Sequence, residues 1–461
     1  MKKLLSVLIA MVMIAGILPM TASAASEKVN VYGCSVSANA KQICFVVGDE
    51  DNSLTKYVVE GYAPGFKKYY YIPTGTVIDC KVIAKKLPEL QNLAVVYGEL
   101  KNLSALGELK NLAWLGLYQN EGAEDLSFLK KLPQLKKFRY KNVYGDKPCE
   151  SVKPVSYLKE LTELYLDVQG SIISDISPLK GLTKLKKLEI DSVIRENISL
   201  IGNMKNMREL DIQIAGDADV SFLGQLTKLE SLELRASGDG IVKGLDSIKG
   251  LKKLKRLDLI GFYNYYGKQQ DLSFIGEMTS LENLDLSYSN KTFTKTVSNL
   301  KGLKELTLID VNNNRPYDTS FINDLSGLED LYIMGQHDMD ITGISKLKKL
   351  KRFTIMLCEF DDLSPLKKCS SLEELNVYNC NTDFDVKWII GTNLKKVFFS
   401  AGGNGRIENM DKLGSLKKLE EISLDFTGIS EDTIKKIKKA LPNCKIEVCE
   451  LSGGDYDERT Y

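Results

Sequence analysis

The chain has 461 residues, of which 43% are hydrophobic and 27% are charged. This composition excludes an intrinsically disordered protein, because such chains combine low hydrophobicity with a high net charge. The formal net charge is only +1, from 62 basic and 61 acidic residues, so the overall charge predicts neither nucleic-acid binding nor attraction to acidic lipids.

Residues 1–24 have the pattern of a secretory signal peptide. Basic residues at positions 2 and 3 precede an apolar run from Leu4 to Met20, and Ala22-Ser23-Ala24 has the small-residue pattern of a cleavage site. A single-pass anchor is the alternative, but Gly16 and Pro19 interrupt the run before it reaches about 18 clean apolar residues. We predict a secreted or extracellular, surface-associated protein that is not inserted in a membrane.

Residues 25–81 contain stretches with the alternating, aromatic and β-branched composition of strands, separated by turn residues. We interpret this segment as a β-rich N-terminal cap, and a separate small binding domain is the alternative. Cys34 and Cys44 fall in two stretches that we expect to be adjacent, which makes them the best candidates for a disulfide.

A repeated apolar pattern occupies residues 82–429. Apolar residues recur at three-residue steps and lead into a pair two residues apart, as in Leu179, Leu182, Leu185, Leu188 and Ile190. A three-residue step fits a 3₁₀ turn, in which residues i and i+3 eclipse, and a two-residue step fits a strand with one buried face. The repeats are 22 to 27 residues long when aligned on the first residue of this pair. These aligned residues are Leu93, Leu115, Phe138, Leu164, Leu188, Leu210, Leu232, Leu257, Leu284, Leu306, Leu331, Phe353, Leu375, Val397 and Ile422.

Several repeats open with the same junction, written DISPL from Asp175 and DLSPL from Asp362. Ser177 can cap the turn, and Pro178 fits its first position because no N–H is needed there. Asp175 can close a local turn with its carboxylate. Because one repeat cannot bury its own apolar face, we predict stacked repeats that share a continuous core.

The repeated pattern and its junctions resemble the leucine-rich repeat family, in particular the internalin-type branch of exported bacterial proteins, over about residues 82 to 448. The resemblance implies an α/β solenoid, or horseshoe, with a parallel β-sheet on the concave face, short helical turns on the convex side and a small β-rich N-terminal cap. The family commonly has Asn five residues after the aligned residue. Here Asn120 keeps it once, while Cys358 and Cys380 hold that position in adjacent repeats. We predict buried thiols there, because a disulfide requires a narrow geometry.

Exposed strand positions from Leu188 onward form an acidic column. Like charges on neighbouring strands are destabilising, so a protein partner with basic groups would relieve them. A solubilising face is the alternative. The residues are Glu189, Asp211, Glu233, Asp258 and Asp285.

Farther along the chain the outward positions become apolar and aromatic, which is typical of a protein contact surface. A covering loop is the alternative explanation. The residues are Ile309, Tyr332, Met334, Met356, Tyr378 and Phe398.

A Tyr-rich insertion after Leu259 is predicted to lie on a rim of the solenoid. It offers an alternative function, a glycan or cell-wall binding site. The residues are Phe262, Tyr263, Tyr265 and Tyr266.

Residues 430–449 are predicted to close the core with a helix and a last strand around Ile446. Ser430 is a suitable N-cap, acidic residues follow it, and Pro442 lies beyond the helix. Residues 450–461 are predicted to be a polar tail.

Catalytic motifs are not recognisable in the sequence. His337 is the only histidine and has no nucleophile motif near it, and no Cys/His cluster indicates zinc. The sequence therefore predicts a non-catalytic protein without cofactor or metal, which binds another protein through the concave face and binds no nucleic acid. An enzyme is the less favoured alternative.

Overall fold

The computed structural model describes residues 27–48, 65–143, 149, 151–168, 173, 175–238, 240–262, 270–287, 294–309, 320–335, 339, 341–360, 362–401, 405–452 and 455–460. The predicted signal peptide, Tyr263, Tyr265, Tyr266 and His337 lie outside the described residues. The chain divides into two compact units, one of residues 1–173 and 178–185 and the other of residues 174–177 and 186–461.

The first unit consists mainly of short strands. Its elements are β1 (Lys28–Val31), β2 (Cys34–Ser37), β3 (Gln42–Val47), β4 (Tyr69–Ile72), β5 (Val77–Asp79), α1 (Cys80–Lys86), β6 (Asn92–Val96), β7 (Glu99–Lys101), β8 (Trp114–Tyr118), β9 (Lys137–Asn142) and β10 (Glu163–Val168).

Six strands of this unit form a parallel sheet in the order β4-β3-β6-β8-β9-β10. Strands β1 and β2 form a separate antiparallel pair, and β5 pairs with β7 in parallel. Ile43 of β3 pairs with Leu93, the first aligned residue. Strand β3 therefore continues the repeat register into the segment that we interpret as the N-terminal cap, whose boundaries stay a prediction.

The second unit continues the same alternation of strands and short turns. Its elements are β11 (Lys187–Ile194), β12 (Glu209–Ala215), β13 (Ser231–Ser237), β14 (Arg256–Ile260), β15 (Asn283–Ser287), α2 (Thr294–Val297), β16 (Glu305–Ile309), β17 (Asp330–Met334), β18 (Arg352–Met356), β19 (Glu374–Tyr378), β20 (Phe384–Asp385), β21 (Lys396–Ser400), β22 (Ile407–Glu408), β23 (Glu421–Asp425), α3 (Glu431–Ala440), β24 (Lys445–Ser452) and β25 (Asp455–Thr460).

Strands β11 to β19, β21, β23 and β24 form a parallel sheet in chain order. Every aligned residue from Leu188 to Ile422 pairs with the next one, and Ile422 pairs with Ile446. The predicted parallel sheet is thus confirmed. Strand β25, within the predicted polar tail, lies antiparallel to β24, and α3 begins after Ser430, whose side chain accepts from the Thr433 N–H at 3.2 Å.

Short 3₁₀ turns carry the three-residue apolar step, as predicted. In one repeat the turn residues Leu223, Leu226 and Leu229 and the strand residues Leu232 and Leu234 are all fully buried. The core therefore lies between the sheet and the layer of turns. The turns are Leu103–Glu108, Leu126–Lys131, Lys153–Tyr157, Ser177–Leu179, Ile198–Asn203, Ser221–Gln225, Leu245–Gly250, Ser273–Glu277, Ser320–Asp324, Thr342–Lys346, Ser364–Lys368, Val386–Ile389 and Met410–Ser415.

The junction motif is closed by its aspartate. The Asp175 carboxylate accepts from the Ser177 N–H at 2.8 Å and from the Ser177 hydroxyl at 2.7 Å. Asp125 and Ser127 repeat this contact, and these hydrogen bonds lower the pKa of Asp125. The serine hydroxyl, which we expected to cap the turn, therefore acts as a donor to the aspartate.

Strand ends turn through a left-handed residue four positions after the aligned residue. Leu357 has φ 52°, and its N–H donates to the carbonyl of Tyr378 on the next strand at 2.9 Å. An L-residue in this conformation costs about 1 to 2 kcal/mol, so the interstrand hydrogen bond offsets local strain. The residues at this position with positive φ are Tyr97, Gln119, Gly261, Gly335, Leu357, Asn379 and Phe426.

The cysteines are thiols throughout, since all nine lie within the described residues and are free. The proposed Cys34–Cys44 disulfide is wrong, because β2 pairs with β1 whereas β3 pairs with β4 and β6. The predicted buried thiols are confirmed. The Cys358 thiol donates to Met356 O at 3.1 Å, and the Cys380 thiol donates to Tyr378 O at 3.4 Å.

Candidate functional site

The five predicted carboxylates stand side by side on one face of the second unit's sheet. Glu189 pairs with Asp211, Asp211 with Glu233, Glu233 with Asp258, and Asp258 with Asp285. The same column continues through Thr307, Tyr332, Thr354, Asn376 and Phe398.

Two arginines neutralise part of this acidic column. An Arg235 amino group lies 2.8 Å from Asp211 and 3.4 Å from Asp191, and its other amino group lies 2.9 Å from Glu233. Arg256 donates to Asp258 at 2.8 Å. The sequence indicated arginines near the column, but the side-chain geometry shows that one guanidinium contacts three carboxylates.

Burial decides the protonation of two of these groups. It raises the pKa of Asp211 to about 7 and that of Asp258 to about 6, although Arg235 and Arg256 oppose the rise. The Asp258 side chain is only 5% exposed. Burial also raises the pKa of Asp285. Near neutral pH the column therefore carries less negative charge than its composition indicates.

The predicted apolar residues form what we call the apolar patch, composed of Ile309, Tyr332, Met334, Met356, Tyr378 and Phe398, all half-buried. The Tyr332 hydroxyl lies 3.4 Å from the Met356 sulfur and 3.6 Å from the Met334 sulfur. The rings of Tyr378 and Phe398 stack with their centroids 4.3 Å apart.

The apolar patch occupies two neighbouring columns, not one. Tyr332 and Phe398 lie in the acidic residues' column, whereas Ile309, Met334, Met356 and Tyr378 share the column two residues farther along each strand. Between Tyr332 and Phe398 lies a polar pair, in which the Asn376 amide donates to the Thr354 hydroxyl at 3.1 Å. The patch is thus apolar with one polar interruption.

Charged residues at the strand starts border the apolar patch and pair with one another. Arg352 contacts Asp330 and lies 3.3 Å from Glu374, and Lys396 contacts Glu421. The cationic side chains of these pairs are about half exposed, so the pairs contribute little to stability. Among these five border residues two cationic groups face three carboxylates.

The rim-loop prediction needs correction at Phe262. Its side chain is 5% exposed, because it lies five positions after Leu257, the place that Asn120 occupies in its own repeat. Phe262 therefore belongs to the core and offers no exposed platform. The other three rim residues fall outside the described part of the chain.

The outward face of the first unit's sheet is covered by aromatic side chains. Cys44, Val46, Ala94, Val96 and Tyr118 lie in the outward columns, yet all are fully buried. Four aromatic side chains pack on them: Phe66, Tyr69, Tyr71 and Trp114. Sequence reasoning missed this cover. The small residues Ala94 and Gly116 at outward positions were the available signal.

Neither a metal cluster nor a membrane-spanning helix occurs among the described residues. No group of three or more His, Cys, Asp or Glu side chains there could hold a metal ion. Within the same ranges, no helix is both long and apolar enough to cross a bilayer.

Comparisons with known proteins give similarities in fold at low sequence identity. No family model and no curated protein matches the chain. An internalin (inlF) from Listeria monocytogenes is 20% identical, with 73% of this chain and 81% of that chain covered and a TM-score of 0.41. A leucine-rich repeat protein of Leptospira interrogans is 19% identical, with 78% and 90% covered and a TM-score of 0.49.

A plant peptide hormone receptor, RGFR1 in complex with RGF2, is 14% identical, with 90% of this chain and 80% of that chain covered and a TM-score of 0.43. The architecture itself carries the assignment of the fold. Strands pair in parallel with their aligned residues side by side, and 3₁₀ turns alternate with them along the chain. The chain has the leucine-rich repeat fold.

Proposed function

We propose that this chain is an exported, non-catalytic interaction protein that binds a polypeptide segment on the exposed face of strands β11 to β21. The observation that carries the proposal is the apolar patch. A repeat needs only a solvent-compatible residue at each outward position, yet six half-buried apolar side chains meet there. Such side chains are the usual anchors of protein interfaces.

The partner segment that fits this face combines apolar with basic side chains. Apart from the ion pair of Lys187 with Glu209, strands β11 to β15 present six carboxylates and two guanidinium groups. A lysine or arginine placed over this column would replace the missing counter-charge. An apolar stretch of the same segment would lie on the apolar patch. The carboxylates are Glu189, Asp191, Asp211, Glu233, Asp258 and Asp285.

A peptide-display selection on the full chain tests this proposal and does not require that the natural partner be identified. Selected peptides should be enriched in both aromatic or aliphatic and basic residues. They should bind at least about tenfold more weakly to the triple variant Tyr332→Ala, Tyr378→Ala and Phe398→Ala, because interface anchors carry most of the affinity.

Tyr157→Ala is the matched control, since Tyr157 is an aromatic residue 53% exposed on a 3₁₀ turn. It should leave binding unchanged. Peptides that bind the folded triple variant as tightly as the parent would contradict the proposal, and so would a selection that yields no binding peptide.

The alternative function, glycan binding at residues 262–266, loses Phe262 as a binding platform because the side chain of Phe262 is buried.

A further inference from the structure

A pocket of about 270 Å³ opens at the start of strands β3, β6, β8 and β9, formed by first-unit residues alone. The first residues of these four strands, Gln42, Asn92, Trp114 and Lys137, pair in one register and line the pocket. Small-molecule pockets usually measure about 300 to 1,000 Å³. This one therefore suits a single small ring or residue, not an extended cofactor.

Two aromatic rings form the apolar wall of the pocket. The centroids of Phe66 and Trp114 lie 5.1 Å apart, with the ring planes at 63°. Both rings pack on the buried cluster of the first unit, so they are held in place from beneath.

Gly116 makes room for this wall. A Cβ atom at that position would lie 2.5 Å from the Trp114 ring and 2.6 Å from the Tyr118 ring. No side chain larger than glycine's fits there without displacing the aromatic rings, so the indole can lie across the sheet only because residue 116 is glycine.

The polar lining of the pocket consists of two carboxamides and two lysines. Gln42 and Asn92 contribute half-exposed carboxamides, each of which can donate and accept. Lys137 is paired with Glu163 at 2.6 Å, which leaves Lys136 as the exposed ammonium group of the lining.

The first residue of a strand differs in charge between the two units. In the second unit the first strand residue is charged in most repeats, as in Lys187, Glu209, Arg256, Glu305 and Asp330. In the first unit, three neighbouring strands begin with an uncharged residue, one of which is tryptophan. The start of a strand does not require such residues. They instead suit a ligand with an apolar face and a rim of hydroxyl groups.

We propose that this pocket binds one pyranose residue of a neutral polysaccharide. The C–H face of the sugar packs on the Trp114 indole, and its hydroxyl groups bond to the carboxamides of Gln42 and Asn92. This pocket shares no residue with the apolar patch or with residues 262–266, and the proposal holds whether or not the patch binds protein.

The test is titration of the full chain with three soluble probes: a hexamer of β-1,4-glucose, a hexamer of β-1,4-N-acetylglucosamine and a hexamer of galacturonic acid. Calorimetry of the unaltered protein should give saturable binding of at least one neutral probe. In Trp388→Phe, the chain's other tryptophan is removed, so a change in indole emission reports on Trp114.

Trp114→Ala should lower the affinity at least about tenfold, and Asn92→Ala at least about threefold, because a lost polar contact leaves its partner group unpaired. Asn283→Ala is the control, since Asn283 is also an amide at a strand start, and it should leave binding unchanged. The proposal is overturned if neither neutral probe binds, if binding survives Trp114→Ala, or if the galacturonic acid hexamer binds most tightly.

Discussion

At the scale of single residues, Asp211 shows how burial and charge compete on an exposed face. It has carboxylates on both neighbouring strands, and Arg235 contacts it at 2.8 Å. The nearby guanidinium would lower the pKa of an aspartate, but burial outweighs it and raises the pKa from 3.8 to about 7. Below about pH 7 the unfavourable charge is thus removed by protonation.

This balance predicts a dependence of stability on pH. The pKa of Asp211 is higher in the folded than in the unfolded chain. Between about pH 4 and pH 7 the folded chain therefore keeps a proton that the unfolded chain has lost. The unfolding free energy falls as pH rises through this range. We expect Asp211→Asn to resemble the parent most closely near about pH 4. The excess of its unfolding free energy over that of the parent should grow as pH rises to about 7 and should amount to about 1 kcal/mol or more at pH 8.

Urea unfolding at a series of pH values measures this difference. Glu189→Gln, which removes the neighbouring carboxylate of the same column, is the control and should change the slope less. Parallel curves for Asp211→Asn and the parent would show that the folded chain does not hold this proton.

At the scale of structural elements, the position five residues after the aligned residue holds the strand ends by hydrogen bonds in some repeats. The Asn120 carboxamide is 2% exposed, accepts from the Gly98 N–H at 3.0 Å and donates to Val95 O at 2.9 Å. Cys358 and Cys380 replace it with thiols that donate to backbone carbonyls. A thiol is a weaker donor than an amide, so these repeats hold their strand ends with weaker hydrogen bonds.

We predict that Asn120→Ala costs about 2 kcal/mol of stability, because it leaves a buried N–H and a buried carbonyl unpaired. Cys380→Ala should cost about 1 kcal/mol or less beyond its packing effect. Hydrogen exchange of the Gly98 amide gives the local measurement. The exchange rate should increase in Asn120→Ala and stay unchanged in Cys380→Ala. An unaltered rate in Asn120→Ala would show that the Asn120 side chain does not protect the Gly98 N–H.

At the scale of the whole molecule, the second unit's sheet separates charge from apolar surface along the chain. Strands β11 to β15 carry the acidic column, and strands β16 to β21 carry the apolar patch. Charge chiefly changes the rate and orientation of encounter, whereas buried anchors chiefly change the rate of dissociation. The two regions should therefore affect different steps of binding.

This division gives a kinetic prediction for a basic, apolar peptide obtained by peptide display. Tyr378→Ala and Phe398→Ala should accelerate dissociation about tenfold or more. The pair Glu189→Gln and Glu233→Gln should slow association and weaken its dependence on salt. Surface plasmon resonance at two ionic strengths separates these effects, with Tyr157→Ala as the control. Equal effects of both sets on dissociation would contradict the division.

The fold was largely predictable because its signal is local. The change from a three-residue to a two-residue apolar step marks each turn and strand, and the aligned residues from Leu93 to Leu164 and from Leu188 to Ile422 pair as expected. The alignment missed β3, since Ile43 is adjacent to Leu93 only in space. The proposed Cys34–Cys44 disulfide failed for a related reason, because strands that follow each other in sequence do not pair there.

The sequence by itself determined which strand residues face the core and which outward strand positions are acidic or apolar, since side-chain direction follows from the period of the strand. Only the tertiary structure decided which outward positions are covered. Cys44 and Tyr118 are buried because aromatic side chains from elsewhere in the chain pack on them, and Phe262 is buried because its repeat places it in the core. Exposure and pKa depend on such distant neighbours, which no local pattern contains.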